Sequence, residues 1–167
     1  MKKLTMAALG LTLLATVARA QHTPVADIAV GYSVIEVVNG SRITANGGNG
    51  SVALNINNWL GAAGDFGLYH ASPFGPGLSA GTYTFGPRFS YRHWGRLAPF
   101  AEVLLGGVRY AANGLAVGSG GGAEIGLDSG GRFALRSQVE YFGFHANGST
   151  TNTVRVSVGV VLRIAKK

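Results

Sequence analysis

The sequence predicts an all-β protein: an eight-stranded antiparallel up-and-down β-barrel of the transmembrane kind, preceded by a cleavable signal peptide. Three observations carry that expectation. After residue 20 no run of 18 apolar residues occurs, so no helical span is available. Segments of about ten to thirteen residues alternate apolar with polar or small side chains along the whole chain, separated by Gly, Asn, Ser and Pro clusters. Most of the charges within those segments fall on the small-residue side of the alternation.

Residues 1–20 are set aside first. Lys2 and Lys3 form a basic start, Leu4 to Val17 an apolar stretch, and Ala18-Arg19-Ala20 a small-x-small site, which together read as a secretory signal cleaved before Gln21. The expected mature domain is 21–167, long enough for one domain and short for two. There is no cysteine, so a disulfide framework, a thiolate nucleophile and a Cys-based zinc site are excluded. Without Lys2, Lys3 and Arg19, the 14 basic residues become 11 against 7 acidic ones, a formal +4. The basic residues are scattered singly, which gives no stripe for nucleic acid. In the mature part the only lysines are Lys166 and Lys167, whereas a water-facing surface normally carries many.

The strands follow in order. The first spans Ala26 to Glu36, with Ile28, Val30, Tyr32 and Val34 opposite Asp27, Ala29, Gly31 and Ser33. The second, Gly50 to Asn58, sets Val52, Leu54 and Ile56 against Ser51, Ala53 and Asn55. The third, Leu60 to His70, sets Phe66 and Leu68 against Asp65 and Gly67. The fourth, Thr82 to His93, is the clearest, with Tyr83, Phe85, Pro87, Phe89 and Tyr91 alternating with Thr84, Gly86, Arg88, Ser90 and Arg92. The fifth, Leu97 to Tyr110, has no firm facing, because Glu102 shares a face with Phe100 and Leu104. The sixth, Leu115 to Leu127, opposes Val117, Ala123 and Ile125 to Gly118, Gly120, Gly122 and Glu124. The seventh, Arg132 to Phe144, opposes Phe133, Leu135, Val139 and Tyr141 to Arg136, Gln138 and Glu140. The eighth runs Val154, Val156, Val158, Val160, Leu162, Ile164 against Arg155, Ser157, Gly159, Val161 and Arg163. Connections at 59–60, 94–96 and 128–131 are short; those at 37–49, 71–81, 111–114 and 145–153 are expected to be mostly longer. That alternation of lengths fits a barrel with periplasmic turns and outer loops.

Eight alternating strands would also build a soluble, lipocalin-like carrier with an apolar interior. Side-chain size decides the facing. Asp65, Arg88, Glu124, Arg136, Glu140 and Arg155 sit among Gly, Ser and Ala, a set that fits a narrow lumen, where small residues make room for opposed charges. The carboxylates are expected to pair with the arginines, since an unpaired buried charge costs several kcal/mol. The other face is then the lipid face, and Tyr32, Trp59, Tyr69, Tyr83, Tyr91, Trp94 and Tyr141 are its expected interfacial aromatics.

Strings along the mature chain resemble the OmpA-like outer-membrane β-barrel domain: Gly31-Tyr32-Ser33, Asn58-Trp59-Leu60-Gly61, Asp65-Phe66, Phe85-Gly86-Pro87-Arg88, Pro99-Phe100-Ala101, Leu105-Gly106-Gly107, Gly120-Gly121-Gly122, Glu140-Tyr141, and Arg155 with Gly159. The resemblance implies a non-enzymatic, porin-like envelope protein of a Gram-negative outer membrane, with a largely plugged lumen and surface-exposed loops. The implied partners are outer-membrane lipid and lipopolysaccharide, with periplasmic chaperones and the barrel-assembly machinery during biogenesis. One departure is that the family's last strand ends on an aromatic residue, where this chain has Ile164 followed by Ala165-Lys166-Lys167.

Chemistry is weakly signalled. His22, His70, His93 and His145 form no i, i+2 or i, i+4 pair, so no metal site is expected, and no motif calls for a cofactor. His145 with Ser149 and Glu140 is the only set resembling a catalytic constellation, that of barrel-type enzymes modifying lipid A, but the His-x-Ser-Asn string of that family is absent. Asn39-Gly40-Ser41, Asn49-Gly50-Ser51 and Asn147-Gly148-Ser149 fit the glycosylation pattern and read more simply as turns.

Overall fold

Period-two alternation over eight segments dictates extended backbone, and a computed structural model of the chain places these segments side by side. It describes residues 24–38, 44–71, 78–110 and 112–164; the signal segment, His22, Asn39-Gly40-Ser41 and Ala165-Lys167 lie outside the described residues. The strands are β1 (Ala26–Val37), β2 (Thr44–Asn55), β3 (Leu60–Ala71), β4 (Leu78–Ser90), β5 (Leu97–Tyr110), β6 (Ala112–Gly126), β7 (Phe133–Ala146) and β8 (Ser149–Ile164).

Each strand pairs antiparallel with the next, and β1 pairs with β8, so the sheet closes. Closure leaves no edge of unpaired backbone groups within the barrel wall. Cross-strand partners from Ile28 pass through Val52, Gly64, Phe85, Leu105, Val117 and Gly143 to Asn152. The Asn152 carbonyl accepts from the Val38 amide at 2.9 Å, so one circuit advances the register by ten residues, from 28 to 38. A stagger of this size tilts the strands by about 35 to 45° to the barrel axis.

The turns have local causes. Asn57 Oδ1 accepts from the amides of Trp59 and Leu60 at 2.9 and 2.7 Å, folding the β2–β3 turn. Asp128 does the same after β6, accepting from the amides of Arg132 and Phe133 at 3.1 and 2.8 Å. Asn147 and Gly148 take φ of 50° and 75°, the left-handed pair of a two-residue hairpin. The β7–β8 connection is therefore tight, and strand continues from Ser149 where 145–153 was expected to be loop.

Other boundaries also differ from the expected ones. β2 begins at Thr44, six residues before Gly50, and ends at Asn55. Its Asn/Gly start has low strand propensity, but pairing with β1 on one side and β3 on the other satisfies its backbone groups. β4 spans Leu78–Ser90, four residues upstream of the expected start, and β6 starts at Ala112, which shortens the connection expected at 111–114.

Facing follows the alternation. Val30, Tyr32, Val52, Leu54, Phe66, Leu68, Phe85, Val103, Leu105, Val117, Leu135, Val139, Val156 and Val158 are exposed on the outside. Arg88, Arg155, Glu140, Asp65 and Asp27, at 1 to 2% exposure, are among the most buried side chains. A water-soluble barrel would show the reverse. β5 is resolved too: Phe100, Glu102 and Leu104 point inwards, and Ala101, Val103 and Leu105 outwards.

Candidate functional site

The barrel interior is a network of ion pairs. Arg155 lies at its centre, donating from Nη1 to Asp65 at 2.6 Å and to the Tyr69 hydroxyl at 2.7 Å. Its Nε and Nη2 donate to the two oxygens of Glu140, both at 2.7 Å. This bidentate geometry matches the planar guanidinium to the carboxylate. Arg88 meets Glu102 at 2.7 Å. Arg136 donates to Glu124 at 2.6 Å and to the Ser51 hydroxyl at 2.8 Å. Nearer the turn end, Arg163 reaches Glu124 at 2.8 Å and Arg92 reaches Asp27 at 2.7 Å.

Register explains why these partners meet. Arg88, Glu102, Gly120, Glu140 and Arg155 stand opposite one another on β4 to β8, forming one inward-facing rung. A side chain at Gly120 would collide with the Glu140 backbone and side chain, so the missing Cβ is what lets the rung close up. Two rungs nearer the turns, past Gly122 and Gln138, Glu124 stands opposite Arg136. Five arginines and five carboxylates take part in these pairs, and their formal charges cancel.

Aromatic rings fill the remaining width. The guanidinium carbons of Arg88 and Arg136 lie 4.7 and 5.2 Å from the Phe100 ring centre, and that of Arg155 lies 5.0 Å from Phe142. The Phe142 ring occupies the space above Gly118, and the Tyr69 ring the space above Gly67. A cavity of about 10 Å³ beside Arg136, Gln138 and Ser157 has room for about one water molecule.

All six interior residues expected from the sequence are buried here, and the structure joins Asp65, Glu140 and Arg155 in one cluster and Glu124 and Arg136 in another. Arg88 pairs with Glu102, a residue left without a facing in the sequence. The phase of Ala101, Val103 and Leu105 was the available signal for it. Asp27, Arg92 and Arg163 were also missed as network members, although Asp27, Arg92 and Arg163 each stand on the polar side of their segment. Tyr69 requires correction. It lies inside, buried, because it shares a face with Asp65 and Gly67, and its hydroxyl completes the Arg155 shell.

Tyr32, Trp59, Tyr83, Tyr91, Trp94 and Tyr141 are exposed on the outside. Trp59 stacks on Phe89 at 6.1 Å, and Tyr91 meets Trp94 edge-on at 5.3 Å, gathering these rings at the turn end. Tyr32 is mid-strand, while Tyr83 and Tyr141 lie nearer the loop end. The lipid-enzyme constellation is not assembled. Glu140 is inside, bonded to Arg155 and Gln138, whereas His145 is outside, its Nδ1 2.9 Å from the Thr150 hydroxyl.

No protein-family model and no curated protein matches this chain. Solved structures do. The outer membrane protein OprG from Pseudomonas aeruginosa superposes with a TM-score of 0.65 at 7% identity, over 88% of this chain and 99% of that one. Ail, the attachment invasion locus protein of Yersinia pestis, gives 0.60 at 17% identity, over 83% and 97%. Neisserial surface protein A gives 0.60 at 14% identity, over 83% and 96%. The chain has the fold of the eight-stranded outer-membrane β-barrels.

Proposed function

We propose that this chain is a non-enzymatic integral outer-membrane protein whose interior is a charge-neutral plug and whose loop end faces outwards. In that setting it contributes to envelope structure or to contact with surface partners. The observation that carries this reading is the inversion of the barrel, with Val, Leu, Phe and Tyr outside and paired Arg and Asp/Glu within. Hydrocarbon solvates the first set, and the second set needs none of it. Lipid and lipopolysaccharide are its immediate neighbours, and the periplasmic chaperones and barrel-assembly machinery are its partners in biogenesis. With rings and ion pairs across its width, the lumen does not conduct.

Two measurements test this together. Unheated detergent gels of isolated outer membranes should show a faster-migrating folded band, and planar bilayers containing the purified protein should stay electrically silent. Recovery of the chain wholly in the soluble periplasm would overturn the membrane reading, and steady unit conductance would overturn the plug.

A further inference from the structure

At the turn end of the barrel four strand ends carry arginine. Arg92 follows β4, Arg96 precedes β5, Arg132 precedes β7 and Arg163 is the last residue but one of β8. All four start from the lumen side. Arg92 keeps the phase of inward Arg88 and reaches Asp27 at 2.7 Å. Arg96 stands opposite inward Gly126, whose amide donates to the Arg96 carbonyl at 2.8 Å, and a Cβ built on that glycine would lie 3.8 Å from the Arg96 Cβ. Arg132 stands opposite Arg163, whose amide donates to the Arg132 carbonyl at 2.7 Å and whose side chain reaches inwards to Glu124 at 2.8 Å. An eight-stranded barrel is only wide enough for side chains to meet within it, so these four share one narrow mouth.

The mouth holds more cation than its acids neutralise. Neither Arg96 nor Arg132 makes an ion pair among the described residues, and both are exposed. Glu124 has Oε1 on Arg136 and Oε2 on Arg163, while Asp27 has one oxygen on Arg92 and one unpartnered. Asp128, in the turn before Arg132, turns both oxygens onto backbone amides. Donors are left over too. The Nε atoms of Arg92 and Arg163 are buried without an acceptor, a state that is costly until one reaches them. Farther in, the Arg136–Glu124 pair and the Phe100 ring beside Arg136 close the lumen, so the mouth is a pocket open only towards the turns.

We propose that this mouth binds a soluble phosphate-bearing anion, with Arg96 and Arg132 as its main donors. Guanidinium forks match phosphate oxygens. The two arginines stem from walls two strands apart, and a phosphate, with oxygens in several directions, accepts from both where a carboxylate offers two oxygens in one plane. The site follows from strand register; that it opens to the periplasm rests on the membrane reading above.

Calorimetric titration of the full-length folded protein in zwitterionic micelles tests this, with inorganic phosphate as the probe at mildly alkaline pH, where it is a dianion. Phosphate should bind saturably at one site, and acetate at matched ionic strength should bind about ten-fold more weakly. R96Q/R132Q should lower the association constant for phosphate by about ten-fold or more. R109Q removes an exposed, outward arginine at the loop end of β5, too far away for its charge to act through salt, and should leave the constant within about two-fold. Phosphatidic acid added to the micelles should not compete, because its acyl chains stay outside the barrel wall. Competition would give the mouth to a lipid headgroup and overturn the soluble ligand; equal binding of acetate would overturn the choice of phosphate. An equal loss in R109Q would reduce the effect to overall charge and overturn the site. No saturable binding by the parent protein overturns it outright and leaves the membrane reading standing, so a poorly folding variant does not blunt the test.

Discussion

Val158→Arg probes the inversion most directly. Val158 lies on β8, 52% exposed, between Tyr32 on β1 and Ser137 on β7. The outward residues of β8 run from Val154 to Ile164. At about 3.3 Å per residue and a tilt of about 40°, these ten steps cover about 25 Å along the barrel axis, the height of an apolar belt in such proteins. The centre of that stretch is Gly159, so Val158 is within one residue of it. Arginine near the midplane should cost about 2 to 4 kcal/mol, and arginine at Val154 or Ile164 only about 0 to 1. Equilibrium urea unfolding of the three variants in phospholipid vesicles measures the profile. A flat profile, or a larger loss at Val154 than at Val158, would refute the assignment of this face to lipid.

Three further outcomes are expected. Arg155→Met leaves Asp65 and Glu140 buried without their cation and should cost about 3 to 5 kcal/mol in the same unfolding assay. Adding D65N and E140Q to that variant should recover much of the loss; a single variant as stable as the parent would count against the network. Gly67→Ala puts a methyl group into the Tyr69 ring and should cost about 1 to 3 kcal/mol, also in a Tyr69→Phe background but not in Tyr69→Ala, as chemical denaturation would show. Asp128 lies in a turn outside the spanning strands, and hydrogen bonds from the amides of Phe133 and Arg132 hold its carboxyl below the usual aspartate range. Its stabilising effect is therefore complete above the unfolded-state pKa and is lost as pH falls through the lower folded-state value. The stability difference between the parent and Asp128→Asn should vanish in strong acid, and the Phe133 amide resonance should titrate with it; a difference that grows on acidification would contradict this.

Most of the barrel was legible because a closed sheet keeps period two all the way round. Where long apolar side chains alternate with Gly, Ser and charge, as in β4 and β8, both the strand and its facing could be read. Legibility failed where that contrast fades. The Asn/Gly start of β2 is extended only because neighbours on both sides bond it, information that one segment does not contain. In β5, Phe100 and Leu104 point inwards because small residues on the facing strands leave the width for them, so hydrophobicity misled where parity would not have. Tyr69 failed for the same reason: a ring was assigned by type, although Asp65 and Gly67 already fixed its face. Asp27 and Arg92 are remote in sequence, and only closure of the sheet brings them to 2.7 Å.

The interior charges also bear on how the chain avoids the wrong barrel. Swapping faces takes only a one-residue slip in register, and the same strands would then bury valine and expose arginine, as a soluble barrel does. Six interior ion pairs, four of them fully buried, oppose that slip, since Arg88, Glu102, Glu140 and Arg155 meet only when β4 to β8 are in this register. A well-packed apolar lumen of equal volume would be as stable or more so, because desolvating ions offsets much of their attraction. It would not distinguish inside from outside, however, and a chain apolar on both faces has no preferred register. The network therefore contributes specificity more than stability. On that reasoning, replacing Arg88 and Glu102 together by a leucine and a methionine should leave the unfolding free energy within about 1 kcal/mol, yet reduce the yield of correctly registered barrel on refolding into vesicles. Cross-linking by cysteines introduced at Thr82 and Val108, opposite each other in the native register, would read that yield. An undiminished native cross-link would sink the idea that charge sets the register.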